Sequence, residues 1–338
     1  MKAVALTHYL PISDPQSLFD TELPTPLPGA HDLLVRVEAI SVNPVDTKVR
    51  APKADVESTP RVLGWDAAGM VEAVGHDVTR FKPGDEVYYA GDITRPGSNS
   101  EFQLVDERIV GHKPHTLSFA EAAALPLTVI TAGEAFFERL HIDRNGANHG
   151  QSLFIIGGAG GVGSIAIQLA RLAGLVVIAT ASRPETREWV TSMGAHHVVN
   201  HRDHLPTQLG ALNFAAVHFI ANFNNTDTYW SIMAELIRPQ GKIVSIVENS
   251  GPLALDLLKS KSATFAWEFM FTRAMYRTPD MAVQGDLLNE VAGLVDAKKI
   301  RTTLTETLSP INAANLRQAH ARLESGHTIG KLVLSGWS

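Results

Sequence analysis

The chain reads as an α/β protein, a doubly wound parallel sheet joined to a smaller β-rich domain. Three observations predict it. At residues 152 to 172 a buried apolar run turns through glycines directly into a helix. From about residue 127 strand-like runs alternate with helical patterns, as a parallel sheet covered on both faces requires. Before that point, short alternating runs are separated by Pro and Gly turns, the mark of a compact β domain.

In the first part the runs are Leu33 to Ile40, Gly69 to Val74 and Asp85 to Tyr89. Ser152 to Ile156 is the first strand of the parallel sheet, and Ile165, Ile167, Leu169, Ala170 and Leu172 set the helix after it. Gly174 stops that helix and Leu175 to Thr180 is the returning strand. Ala195 to Val199, Ala215 to Ile220 and Lys242 to Val247 continue the sheet, and Ser262 to Phe271 closes it or forms its edge. The tail predicts helices near 281–298 and 312–324, with strands at Arg301 to Leu308 and Lys331 to Leu334. Boundaries fall at 1–126, 127–270 and 271–338, with no internal repeat or low-complexity linker.

Gly158, Gly160 and Gly163 have the G-x-G-x-x-G spacing of a dinucleotide site. One glycine serves a tight turn, one lets phosphate approach the backbone, and one packs helix on strand. The helix N-terminus then offers unpaired N–H groups and partial positive charge to a pyrophosphate. A sugar-binding acid is due about 20 residues on, where Ala181, Ser182 and Arg183 stand instead. A hydroxyl and a guanidinium bind a 2′-phosphate that a carboxylate would repel, so NADPH is expected over NADH. In the alternative, Arg183 is a solvated loop residue and Glu185 takes the acidic role.

With 45% hydrophobic and 19% charged residues the chain belongs to the globular class. A net charge of -6 without a basic cluster argues against nucleic acid. The first residues read as a strand rather than a signal peptide, and the apolar stretch at 153–181 is broken by glycines, Gln168 and Arg171. A cytoplasmic protein without a membrane span is expected. There is no cysteine, hence no thiolate zinc site, cysteine nucleophile or disulfide.

Four further segments occur in a telling order: Asn43-Pro44-Val45-Asp46, Gly64-Trp65-Asp66-Ala67-Ala68-Gly69, Gly84-Asp85-Glu86-Val87 and Gly330-Lys331-Leu332-Val333-Leu334. With the glycine turn, they make the chain resemble, over nearly its whole length, the medium-chain dehydrogenases/reductases, and within them the zinc-independent quinone oxidoreductase branch. It is also similar to the group called zinc-type alcohol dehydrogenase-like. The resemblance implies a GroES-like catalytic domain followed by a Rossmann domain, and a homodimer built by pairing edge strands. Where zinc-dependent relatives carry ligands, this chain has Asn43, Trp65 and Leu127, and the structural zinc lobe is replaced by a short loop at 90–100. Those residues cannot supply three donors to a zinc ion, so no metal is expected. The nearby His196, His197, His201 and His204 are expected to be exposed or phosphate-facing.

Without a Lewis acid for an alkoxide, hydride reduction of a quinone or an α,β-unsaturated carbonyl is the expected chemistry, since the developing oxygen charge needs only donors and a proton. The resemblance puts Asn43 and Thr131 beside the nicotinamide; Lys48 and Tyr89 are candidate orienting or proton-bearing groups. Trp65 is a candidate substrate wall, with Phe269, Phe271 and Arg273 opposite, near Trp267. Bland alternatives stand for each: a solvated Lys48, core packing for Trp65 and Tyr89, and a dimer edge for the 267–273 aromatics. Ala159, Gly160, Gly161 and Val162 face the pyrophosphate, and Thr180, Ser182 and Arg183 the ribose phosphate. His201, Asn222 and Val247 sit at carboxyl ends of strands, where open sheets bind ligands. Two other readings remain: an alcohol dehydrogenase with atypical zinc ligands, and a non-catalytic NADPH-binding protein of the crystallin or sensor kind.

Overall fold

The structure is a computed structural model and describes residues 1–337. It divides into two units, Met1–Ile130 with the chain from Phe271 onward, and Thr131–Met270.

The first unit is built on β1 (Lys2–His8), β2 (Phe19–Glu22), β3 (Asp32–Ser41), α1 (Pro44–Arg50), β4 (Val56–Val62), β5 (Ala67–Val74), β6 (Glu86–Tyr89), β7 (Phe102–Asp106) and β8 (Val110–His112). α2 (Phe119–Ala123) and α3 (Pro126–Gly133) follow, and the division falls inside α3. Long β3 is the spine: it pairs with β5 and β7, and its end pairs with the last strand of the chain. Across its middle, buried Val35, Val37 and Ala39 alternate with part-exposed Arg36 and Glu38, while both ends, Leu33–Leu34 and Ile40–Ser41, are buried throughout. β2, β1 and β4 make a separate three-stranded sheet.

The second unit continues α3 into a π-helical turn (Glu134–Arg139) and then winds β9 (Ser152–Ile156), α4 (Gly161–Leu172), β10 (Val176–Thr180), α5 (Pro184–Ser192), β11 (His197–Val199), α6 (Leu205–Ala211), β12 (Val217–Asn222), α7 (Thr226–Leu236), β13 (Ile237–Ser245) and β14 (Thr264–Trp267). All six strands are parallel, in the order β11-β10-β9-β12-β13-β14. Counting from β9, that is the 3-2-1-4-5-6 order of dinucleotide-binding sheets, whose winding reverses between β9 and β12. Phe154, Ile156, Ile178, Ile220 and Ile243 fill its core together with Met233 and Leu236 of α7.

α8 (Thr272–Tyr276), α9 (Ala282–Asp296), β15 (Leu304–Leu308), α10 (Ala313–Glu324) and β16 (Lys331–Ser335) then return to the first unit. β15 and β16 complete the seven-stranded sheet. The strand expected over 262–271 is shorter than its aromatic pattern suggests. It ends at Trp267, and Phe271 instead begins a helical turn in which its carbonyl accepts from Met275 N at 2.9 Å. Phe119–Arg139 is long and apolar enough to cross a membrane by composition, but 83% of its most apolar window is buried inside the protein.

Candidate active site

The glycine turn of the second unit is built for close approach. Gly157 has φ +88°, a conformation that L side chains rarely adopt. A Cβ on Gly158 would meet Ala179 Cβ at 2.9 Å, and one on Gly163 would run into the Gly157 carbonyl oxygen and stand 2.6 Å from Gly158 O. Those two glycines are required by packing. Gly160 is different: the nearest atom to a Cβ there is Gly157 O at 3.7 Å. Nothing in the protein demands a glycine at 160, so its bare backbone leaves room for a ligand at the N-terminus of the twelve-residue α4. Ser164 Oγ donates to Gly160 O at 2.7 Å and accepts from Trp189 Nε1 at 2.8 Å, which ties α5 to the turn.

Ala159, Gly160, Gly161 and Val162 are part-exposed along this turn, and Ser182 and Arg183 are part-exposed past β10. Arg183 pairs through Nε with Glu185 at 3.1 Å, so the acid of the alternative reading already holds the guanidinium. Thr131 is buried in α3, His201 is exposed and Val247 follows β13. Two assignments need correction. Thr180 is buried and its Oγ1 accepts the Gly157 N–H at 2.9 Å, so it braces the turn rather than reaching the ribose phosphate. Asn222 is buried too; its amide donates to Ser245 Oγ at 3.1 Å and Thr226 Oγ1 at 3.3 Å, holding β12 to β13 instead of facing a ligand. The histidines do not converge: His196 accepts from Val177 N at 2.9 Å, while His204 bonds Thr207 at 2.8 Å. Among the described residues no three His, Cys, Asp or Glu side chains gather as metal ligands.

The first unit holds a buried ionic knot. Asn43, two residues past β3 and still extended, caps the start of α1, with Pro44 in the first turn. Its N–H donates to Asp46 Oδ2 at 2.6 Å, and Asp46 N returns a bond to Asn43 O at 3.0 Å. The Asn43 amide also donates to Asp66 Oδ2 at 3.0 Å and to Ser41 O at 3.4 Å. Lys331, the first residue of β16, places its ammonium in the middle: it donates to Val42 O at 2.9 Å, to Asp66 Oδ2 at 3.0 Å and to Asn43 Oδ1. The other Asp66 oxygen accepts Leu127 N at 3.0 Å. Asn43, Asp46, Asp66 and Lys331 are all buried. Burial pushes the Asp46 carboxyl up to about 7, against the pull of the Asn43 N–H and Lys331. Asp66 is likewise raised by burial, with Lys331 pulling it back.

This arrangement tests the zinc directly. Asn43 Oδ1 is taken by an ammonium, both amide hydrogens of Asn43 are committed, Trp65 has no lone pair to give, and Leu127 presents an N–H. A cation already occupies the centre, so a dication does not fit these positions. Lys331 was visible in the sequence only as part of a closing strand. The overlooked signal was a lysine beside the apolar run Leu332 to Leu334.

The other candidates are distributed differently than expected. Lys48 is exposed on α1, one turn from the knot. Trp65 and Tyr89 are fully buried, and burial pushes the Tyr89 phenol well above its ordinary range. Phe271 meets Trp65 edge to face, with ring centroids 6.1 Å apart. Arg273 is buried against Asp280 at 2.8 Å, which ties the start of α8 to the loop after it. Phe269 is exposed and belongs to the second unit, whereas Phe271 and Arg273 belong to the first.

Residues 29–131 match the family model described as alcohol dehydrogenase GroES-like domain, and residues 193–334 the one described as zinc-binding dehydrogenase. A zinc-type alcohol dehydrogenase-like protein of Staphylococcus aureus is 49% identical over 311 residues, which is 92% of this chain and 92% of that protein. The 2-methylene-furan-3-one reductase of Solanum lycopersicum is 30% identical over 89% of this chain and 71% of its own length. The crystal structure of Escherichia coli quinone oxidoreductase complexed with NADPH superposes with a TM-score of 0.83 at 25% identity, covering 99% of this chain and 100% of that one. Nearly half of the aligned residues are identical over 92% of both chains and the parallel-sheet order is that of the fold; the chain is thus an oxidoreductase of the medium-chain dehydrogenase/reductase superfamily, and its zinc positions group it with the zinc-independent members.

Proposed function

We propose that the protein is an NADPH-dependent, zinc-independent reductase of quinones or α,β-unsaturated carbonyls. One observation carries the reading: an ammonium–carboxylate knot takes up Asn43 and Leu127, two of the three positions where zinc-dependent relatives carry ligands. Oxidising an alcohol requires its alkoxide to be stabilised, and these residues offer no seat for the metal that would do it. Reducing an electron-poor double bond requires hydrogen-bond donors and a proton. The name of the tomato relative, a methylene-furanone reductase, and the NADPH in the Escherichia coli quinone oxidoreductase structure support the same chemistry.

The cofactor, when bound, supplies a hydride to the electron-poor carbon. In this reading the Gly160 backbone and the first N–H groups of α4 hold its pyrophosphate, while Ser182 and Arg183 take the 2′-phosphate. In the second unit Thr131 meets the nicotinamide; in the first, Asn43, with its polar atoms taken up by the knot, holds the start of α1, and Lys48 orients the substrate from the exposed side of that helix. A homodimer in the cytoplasm pairs edge strand β14, whose last residue Trp267 is exposed, as is Phe269 just after it. NADPH and NADH consumption over a panel of quinones, enones and aldehydes tests this reading. Turnover of quinones or enones with a preference for NADPH is expected. Activity on alcohols that tracks zinc content would favour a dehydrogenase with atypical ligands; cofactor binding without turnover would favour a non-catalytic protein.

A further inference from the structure

Two carboxyl groups lie buried together in the second unit. Glu134 opens the π-helical turn that continues α3, and Glu268 is the residue after β14. They are 1% and 2% exposed, and their side chains hydrogen-bond each other. Arg139 Nε donates to Glu268 Oε2 at 2.9 Å, while Glu268 Oε1 has no partner. Arg139 stands five residues after Glu134, one step along the same face of a π-helix, whose i→i+5 bonding is seen where Leu140 N donates to Ala135 O at 3.0 Å. On the other side the backbone holds Glu268 in place: its N–H donates to Ser245 O at 2.9 Å, which extends β14 along β13.

A hydrogen bond between two carboxyl groups requires a proton on one of them. The charge count requires it as well. Two buried carboxylates facing one part-exposed guanidinium would leave a negative charge without a partner, and such pairs keep a proton instead. The neighbouring strand brings no cation to them, since Ile243, Val244 and Ser245 are uncharged, and the remaining charged residue of the turn, Glu138, is another acid. Arg144, in the loop that follows, is engaged over the Phe137 ring at 4.0 Å. Burial and the adjacent Glu134 push Glu268 up to about 9, against the pull of Arg139.

Thr131 lies three residues before Glu134, on the same side of the helix. Resting on the reading that Thr131 meets the nicotinamide, we infer that Glu134 and Glu268 are positioning residues for the cofactor: a proton held between them ties the helical segment carrying Thr131 to the end of β14. Neither acts on the hydride itself. Loss of the proton sets two like charges at hydrogen-bond distance and drives the segment off the strand, so the nicotinamide loses its contact with Thr131.

The test is a fluorescence titration with NADPH at pH 7, 8, 9 and 10 on the parent protein, E268Q and E134Q, with Tm measured at each pH. One unit above the Glu268 value about a tenth of the molecules keep the proton, so the parent Kd is expected to rise about tenfold between pH 7 and 10 while the protein stays folded. In E268Q an amide that cannot ionise faces Glu134, and in E134Q a single carboxylate faces Arg139. Both variants are expected to bind NADPH with an affinity that no longer changes over this range. A parent affinity constant from pH 7 to 10 would overturn the inference, as would a slope retained in both variants. A Tm that falls with pH while affinity stays constant makes the pair a brace only, and overturns it too. Turnover is read separately: a parent that reduces no quinone or enone yet shows the slope keeps the pair and removes the reductase reading, and turnover with a flat affinity does the opposite.

Discussion

The glycine turn of the second unit and the ionic knot of the first are both polar devices at strand ends, but they are assembled in opposite ways. The turn is local: Gly157 to Gly163, Thr180 and Ser164 lie within about one β-α-β stretch, and its donors are backbone groups left open at a helix start. The knot joins Asn43, Asp66, Leu127 and Lys331 from four separate segments, and the donors and acceptors of these four are paired within it, while the neighbouring Asp46 Oδ1 has no partner. An open device can take a ligand; a closed one holds the chain in place. The first unit thus spends its buried charges on holding its own segments together.

If that contrast is right, breaking the knot should cost stability first. K331M leaves the fully buried Asp66 carboxylate without its cation, and a loss of about 3–5 kcal/mol is expected in urea unfolding. A loss below about 1 kcal/mol would mean that the knot is not what holds these segments. Breaking the turn should do the reverse. G160A meets only Gly157 O, at an ordinary contact distance of 3.7 Å, so Tm should hold while NADPH affinity falls about a hundredfold, or ~2.7 kcal/mol, in a fluorescence titration. G163A, whose Cβ would strike the Gly157 carbonyl, should lose both.

Acid sharpens the comparison through a second buried group of the first unit. Burial, with Arg50 nearby, holds His320 down to about 3. The unfolded chain, at about 6.5, takes the proton first, so this contribution is complete above pH 6.5 and is lost progressively as pH falls toward 3. Unfolding at pH 5 and 7 should show about 2 kcal/mol of this loss, and H320L should remove it. An unchanged pH slope in H320L would reject the assignment. The smallest expected effect concerns cofactor choice. R183A should weaken NADPH about tenfold and leave NADH nearly unchanged, and equal losses would show that the guanidinium does not meet a 2′-phosphate.

Much of the second unit was legible because its signals are short-range. The apolar runs at 152–156 and 176–180 and the glycine spacing between them need no distant partner to be interpreted. The assignments that missed, Thr180 and Asn222, are residues whose position at a strand end was right but whose side chains turn inward to brace the turn and the neighbouring strand. Which way a side chain at a strand end points depends on what packs against it. The shortened β14 has the same cause: the aromatic run continues through Phe271, but Phe271 turns into the first unit against Trp65.

The sequence by itself determined the parallel-sheet class, the dinucleotide turn and the loss of zinc ligands, because these depend on residue types at near spacings and on the absence of cysteine. Only the tertiary structure decided what stands at the zinc positions. β16 lies on β3 with Val333 opposite Ser41 and Leu334 opposite Ile40, and that register sets Lys331 beside Asn43 across 288 positions of chain. A one-residue slip would turn the ammonium to the other face of the sheet, and no local pattern in the sequence encodes the register of two strands so far apart.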